Sequence, residues 1–224
     1  MTVSAGHTRE RHRAGIRRGI PFGVAVFAIA LSFGVLARPL MGSVAPIVMS
    51  IVVFSGAAQF GSLAVLSAGG STAAAIAAGV LLNARYAAMG FALAPSLRGR
   101  WWSRAGFALP MVDASWASAS VGDGTFDPWY LVGVSVPQYV GWVSGTVAGV
   151  LIGPRLGNPD ALGLDALFPA FFLALLFAEA RGRRRLAAAG GGAGIALALT
   201  PFVPAGLPIL AAAAAAAVAS RLRS

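Results

Sequence analysis

The residues that could do chemistry in this chain are polar side chains set inside apolar stretches. Ser55, Gln59 and Ser62 stand within one apolar run, and Asn83 and Arg85 stand within the next. In a helix, offsets of four and three put Ser55, Gln59 and Ser62 on one face. Gln59 offers two donors and an acceptor, and the neighbouring Gly56 and Gly61 let other backbone come close. Such a stripe could hold the ammonium and carboxylate of a zwitterion. It could equally join helix to helix, because small and polar residues are common between membrane helices. Asn83 and Arg85 are two positions apart, so a regular helix sends them to different sides. An arginine deep in hydrocarbon costs several kcal/mol if unpaired, so Arg85 calls for an acidic partner or an anionic solute. The other reading is a side chain that snorkels to headgroups.

Asp113 is the carboxylate that lies well inside an apolar segment, with Trp116 and Ser120 following at helical spacing. It could pair with Arg85, attract a substrate ammonium or carry a proton in a coupled cycle; a purely structural ion pair is the alternative. Gln138, Tyr139 and Trp142 surround Pro137, where a helix should kink. They could wall a solute path or act as interfacial aromatics. Asp123, Asp127, Asp160 and Asp165 read as loop or helix-start charges.

These residues must be positioned by membrane helices. Of 224 residues, 58% are hydrophobic and 11% charged, with a mean hydropathy of +0.79. Soluble domains average about 45–50% apolar and about 25% charged. Several runs reach the roughly 17–25 residues that cross a bilayer as helix. The expected fold class is all-α: a polytopic membrane helix bundle of about seven or eight apolar segments. They run near 19–37, 44–66, 72–94, 105–121, 129–152 and 164–180, with an alanine-rich remainder, 186–220, that crosses once or twice. The domain reading is a polar basic cytoplasmic tail, 1–18, a single transmembrane domain, 19–220, and a basic end, 221–224. Pro21 sits where a first helix would open, and Ala68-Gly69-Gly70-Ser71 reads as a turn.

The net charge is +10, and every basic residue is arginine. The arginines cluster between apolar runs, which is a topology signal with anionic headgroups as natural neighbours rather than a nucleic-acid surface. Arg9 to Arg18 followed by an apolar run reads as a first span, not a cleaved signal. A cytoplasmic N-terminus then agrees with a cytoplasmic Arg181–Arg185 loop if six segments cross. Three crossings, however, place the basic Arg98–Arg104 loop outside, against the rule. Either one early segment is re-entrant or this loop departs from the bias. The polar, Gly-bearing second segment is the natural candidate for a broken or re-entrant helix, since such backbone is tolerated only where protein or a cavity covers it. Gly34-Val35-Leu36 also lies 115 positions before Gly149-Val150-Leu151. Residues this abundant produce such a match by chance, and repeats meeting around a midplane site produce it by descent.

No cysteine is present, so thiolate metal sites and cysteine nucleophiles are excluded. His7 and His12 lie in the N-terminal stretch, away from the apolar segments. No lysine is present, hence no Walker motif, and no nucleophile elbow or dinucleotide fingerprint occurs. The chain reads as no enzyme, with no catalytic residues, no metal and no cofactor.

The motifs Gly19-Ile20-Pro21-Phe22-Gly23, Phe54-Ser55-Gly56-Ala57-Ala58-Gln59-Phe60, Leu82-Asn83-Ala84-Arg85-Tyr86, Asp113-Ala114-Ser115-Trp116-Ala117 and Gly163-Leu164-Asp165-Ala166-Leu167-Phe168-Pro169 occur in this order. Together they resemble the larger subunit of the AzlC-type branched-chain amino acid exporters over roughly residues 18–200. Tyr86 stands where the family usually has histidine, and Ala114 where it more often has glutamate. The resemblance implies a multi-span exporter of branched-chain amino acids, with methionine as a further candidate. It also implies gradient-driven efflux across the cytoplasmic membrane and a small hydrophobic partner subunit of the AzlD type. The residues placed on the substrate are Ser55, Gly56, Gln59, Asn83 and Trp142, with Arg85 and Asp113 as charge-coupling elements. A passive small-solute channel and a non-transporting scaffold subunit are the competing classes.

Overall fold

The computed structural model describes residues 5–156 and 183–203, together with residues 170, 173, 176, 177 and 211. Regular structure among the described residues is helical: α1 (Ala5–Met41), α2 (Ala45–Val52), α3 (Gly56–Ser67), α4 (Thr72–Leu93), α5 (Trp101–Ala108), α6 (Asp113–Ala119), α7 (Pro128–Ile152) and α8 (Arg183–Leu199). Two 3-10 turns, Ala94–Ser96 and Gly153–Arg155, follow α4 and α7. Among the described residues, Thr8–Met41 and Thr72–Ser96 are long and apolar enough to cross a membrane. Apart from residues 170, 173, 176, 177 and 211, the sixth apolar segment, near 164–180, and the second alanine-rich run lie outside the described residues. The chain divides into two compact units, Met1–Ser55 with Ala84–Gly157, and Gly56–Asn83 with Asn158–Ser224.

The first unit is built on α1 and α7, which pack side by side and parallel. Gly15 meets Gly133, Gly23 meets Gly141 and Leu31 meets Gly149, a constant separation of 118 residues. Glycine is required along this seam, since a methyl group at Gly133 would collide with the carbonyl of His12, and one at Gly149 with that of Leu31. Small residues let membrane helices approach to backbone contact. The same seam explains why the expected polar tail is helical from Ala5 onward and Pro21 lies inside α1 rather than at its start. Residues 11–15 are held against the start of α7, where Arg11 pairs with Asp127 at 2.5 Å and stacks over the Tyr130 ring. At the other end, Arg38 donates to the carbonyl of Val150.

The second apolar segment is not one helix. The sequence 53–55 interrupts it between α2 and α3, and Phe54 has φ of +40°, a left-handed conformation that side-chain-bearing residues rarely adopt. The break occurs halfway along α7. Ser50 shares a 2.8 Å hydrogen bond with Thr146, Tyr139 donates its hydroxyl to the carbonyl of Ile51, and Phe54 meets the Tyr139 ring edge-on at 5.0 Å. These contacts run down α7 as α2 proceeds, so α2 is antiparallel to α7.

The fourth segment, expected as a single stretch over 105–121, is a hairpin. Pro110 has no N–H to continue a helix and clashes with the preceding turn, and α5 ends at Ala108. The chain turns through 109–112 and returns as α6, whose first turn is closed by Ser115: its hydroxyl accepts from the Val112 N–H at 3.0 Å and donates to the Val112 carbonyl at 2.9 Å. Both ends of the hairpin lie against the end of α4. Arg104 donates to the carbonyl of Ala94 at 3.2 Å, and the Phe126 N–H donates to the Ser96 hydroxyl at 2.9 Å. Leu93, Leu97, Met111, Ala119, Phe126 and Leu131 form the core there. Leu131 belongs to the first turn of α7, so α4 ends where α1 and α7 begin. The basic 98–104 loop and the arginines of the N-terminal stretch therefore share one side. The conflict between the Arg98–Arg104 loop and the charge rule arises from counting all three segments before it as crossings, when the second is interrupted at 53–55.

In the second unit, α3 and the first half of α4 form an antiparallel pair across the expected turn, where Gly69 takes φ of +77°. Val65, Ala75 and Ala78 form its core. The helix α8 ends at Leu199, two residues before Pro201.

Candidate functional site

Arg85 lies on α4, eleven residues before Ser96. At about 1.5 Å per residue this is about 16 Å from the end of the segment, or half the roughly 30 Å hydrocarbon thickness. The α5–α6 hairpin reaches to that depth. At its tip Asp113, the first residue of α6, approaches Arg85 with Oδ2 2.9 Å from a terminal guanidinium nitrogen. Protein leaves 32% of the Arg85 side chain and 50% of the Asp113 side chain uncovered. Arg85 Nε is buried and has no hydrogen-bond partner, so the guanidinium is only partly satisfied. One turn further along α4, the Trp116 indole N–H donates to the Met89 carbonyl at 3.2 Å, which fixes the returning limb.

Tyr86 completes this cluster. The Arg85 guanidinium lies 5.2 Å from the Tyr86 ring centroid. The Tyr86 hydroxyl has the side chains of Ser55 and Arg85 within hydrogen-bonding reach and Asp113 within its field. Ser55 comes from the break between α2 and α3. Two interruptions in apolar segments, at Phe54-Ser55 and at 109–112, thus converge on one turn of α4. Each break frees backbone groups that only protein, water or a solute can satisfy at that depth.

The structure brings together three of the expected residues, Ser55, Arg85 and Asp113. Sequence reasoning treated Tyr86 only as a departure from a motif and assigned it no part in the site; its position beside Arg85 was the available signal. Trp142 is buried on α7, where its backbone carbonyl accepts from the Thr146 hydroxyl at 3.0 Å, on the stretch that supports α2. Gly56, Gln59 and Asn83 belong to the second unit. Gln59 is fully buried on α3, and Asn83 Oδ1 is buried without a hydrogen-bond partner. Ser62, expected on one face with Ser55 and Gln59, donates to the Ala75 carbonyl at 2.8 Å, so its hydroxyl is used in joining α3 to α4. Ser55 precedes α3 instead of continuing its face. Among the described residues, no group of three or more metal-ligating side chains occurs.

Outside the apolar segments, Asp123 accepts from the side chain and backbone N–H of Thr125 at 2.5 and 2.9 Å. These bonds hold its carboxyl below the usual carboxylate value and shape the return from α6 to α7. Trp101 and Trp102 are exposed at the start of α5, and Arg100 lies 4.2 Å from the Trp102 ring centroid, as expected of a basic interfacial loop.

The family model described as AzlC protein matches residues 21–156, which holds both breaks and the Arg85–Asp113 pair. An uncharacterized membrane protein of Archaeoglobus fulgidus is 33% identical over 206 residues, covering 91% of each chain. The inner membrane protein YgaZ of Escherichia coli is 27% identical over 84% of this chain and 81% of its own length. The branched-chain amino acid transport protein AzlC of Bacillus subtilis is 22% identical over 74% of this chain and 68% of its own length. No solved structure matches.

Proposed function

The chain belongs to the AzlC family, and we propose that it is the large subunit of a secondary active exporter of branched-chain amino acids. The observation that carries this reading is the meeting of a broken helix, a re-entrant hairpin and an Arg–Asp pair at mid-helix depth. A lipid-facing helix has no use for such groups, and discontinuous helices at the midplane are how many transporters bind their solutes. The name of the Bacillus subtilis relative supports the substrate class. Its neighbours favour an aliphatic ligand, since Tyr86, Met89 and Trp116 flank the pair. Burying a side chain there gains roughly 25 cal/mol per Å² of apolar area. One methylene changes such a fit by about 1–3 kcal/mol, so Leu, Ile, Val and Met share the path with modest discrimination.

In this reading the side that carries the starts of α1 and α7 and the 98–104 loop is cytoplasmic, because the arginines gather there. The hairpin opens to the cytoplasm and loads the amino acid from within, and the membrane potential or proton gradient drives it outward by alternating access. Arg85 and Asp113 couple charge. A small hydrophobic subunit of the AzlD type completes the transporter in the cell membrane.

Efflux from cells loaded with Leu-, Ile-, Val- and Met-containing dipeptides tests this, with and without the small subunit. Saturable export that collapses with the proton gradient is expected. Flux that ignores the gradient would point to a channel, and export unchanged by loss of this chain would reduce it to a scaffold.

A further inference from the structure

We infer that the Arg85–Asp113 pair is a receptor for a zwitterion: an α-amino acid inserts between them, its carboxylate on Arg85 and its ammonium on Asp113. The transport reading supplies the amino acid used to test this; the two subsites come from the geometry. Arg85 presents a planar fork of five N–H donors that suits a carboxylate held by two parallel bonds. Asp113 occupies only one terminal nitrogen, at 2.9 Å, and Nε is left buried without a partner. The pair as it stands is an incomplete version of a bidentate contact.

The two residues also differ in how they are held. Arg85 belongs to the 22-residue helix α4. Asp113 opens the seven-residue helix α6, at the tip of a hairpin whose ends are tied to Ala94 and Ser96. A shift of the tip on the α5 side of the Trp116–Met89 bond separates the carboxylate from the guanidinium while both ends stay fixed.

Charge balance then selects the ligand class. Opening the pair at mid-helix depth leaves two uncompensated charges, which is unfavourable. A simple carboxylate on Arg85 leaves Asp113 bare, and a simple amine on Asp113 leaves Arg85 bare. A zwitterion leaves neither, and the four charges alternate in sign. The closed pair therefore keeps the site neutral when empty and admits neutral, doubly charged molecules in preference to anions or cations of the same shape.

Leucine, 4-methylpentanoate and 3-methylbutylamine share one alkyl chain and separate these cases. Binding of each to the purified full-length chain in nanodiscs is measured for wild type, Asp113→Asn, Arg85→Gln and Asp113→Glu. Wild type should prefer leucine to either single-charge analogue by roughly tenfold or more. Asp113→Asn should weaken leucine and tighten 4-methylpentanoate, each by roughly tenfold, so that the preference crosses over. Arg85→Gln should do the same in favour of 3-methylbutylamine, and Asp113→Glu should restore the leucine preference. A shift of leucine and 4-methylpentanoate in the same direction in Asp113→Asn overturns the inference, as does a wild type that binds 4-methylpentanoate as well as leucine. If Asp113→Asn does not fold, loss of the preference in Asp113→Glu overturns it as well. Leucine efflux in cells, followed separately, keeps the transport reading distinct: crossover without export sinks only that reading, and export without crossover sinks only this one.

Discussion

The Phe126 backbone N–H is bound to the Ser96 hydroxyl at 2.9 Å, so the residue that leads into α7 sits beside the one that ends the α4 segment. Together with the Arg104 contact to Ala94, this makes the fourth apolar segment start and finish on one side. Single cysteines in this cysteine-free chain should show it. Arg9→Cys, Ser103→Cys and Asp123→Cys should react with an impermeant maleimide from one face of the membrane, and Ser43→Cys from the other. Ser103→Cys and Asp123→Cys reacting from opposite faces would mean that the segment crosses.

The Arg85–Asp113 pair should show coupling in a double-mutant cycle. Part of each side chain is uncovered by protein, so the interaction lies above the 0–1 kcal/mol of surface pairs and below the 3–5 kcal/mol lost when a buried pair is broken. Asp113→Asn should lower stability in detergent by about 1–3 kcal/mol, because it leaves Arg85 uncompensated. Adding Arg85→Gln should recover part of that loss without recovering export. Strictly additive melting shifts would mean the two side chains do not interact.

The α1–α7 seam makes a prediction about volume. Gly149→Ala forces a methyl group into the Leu31 carbonyl, and overpacking of this kind costs about 1–3 kcal/mol. Gly190→Ala meets nothing within 4 Å on α8 and should be neutral or stabilise by up to about 1 kcal/mol. Thermal unfolding that ranks the two variants the other way would contradict the packing.

Much of this arrangement was legible because membrane helices leave few reasons for a polar residue. The polar second segment was readable as broken from its Ser and Gly content, and Arg85 was readable as needing Asp113. The fourth segment was harder to read. Its hydropathy matches a crossing helix, and only Pro110 signalled the turn; hydropathy counts residues but is blind to a chain that doubles back. The spacings Gly15-Gly19-Gly23 and Gly141-Gly145-Gly149 were also available, as glycines every fourth position are the usual mark of close helix contact. The similarity between Gly34-Val35-Leu36 and Gly149-Val150-Leu151 gained meaning only from packing. Gly34 and Gly149 touch, so cognate positions face each other across the seam. Helical spacing identified a face for Ser62 but not what covers it, and its hydroxyl joins α3 to α4.

Ser50 and Thr146 share a buried hydrogen bond at 2.8 Å, one turn before the Phe54 break. Ser50→Ala should cost about 1–3 kcal/mol, since it leaves a buried hydroxyl short of a partner. The Thr146 hydroxyl still reaches the Trp142 carbonyl, which places the expected loss at the low end. A melting temperature unchanged within error would show that α2 is not held to α7 at this point.

Phe54 combines a strained backbone with a buried ring. Its φ of +40° costs about 1–2 kcal/mol for a residue with a side chain, and glycine at this position removes that cost. The same substitution removes the edge-on contact with Tyr139 at 5.0 Å, worth about 0.5–1.5 kcal/mol. The ring is also buried, and emptying such a site costs about 3–5 kcal/mol, only part of which the relieved strain offsets, so Phe54→Gly should melt below wild type. It should also impair export, because the ring fixes the angle at which the chain leaves α2 and so the position of Ser55 beside Tyr86. Phe54→Ala keeps the left-handed strain and loses the ring, so it should be less stable than Phe54→Gly by about 1–2 kcal/mol and impaired in export to a similar degree. Equal melting of the Gly and Ala variants would show that the left-handed conformation is absent in the membrane. Normal export by both would show that the ring does not set the position of Ser55.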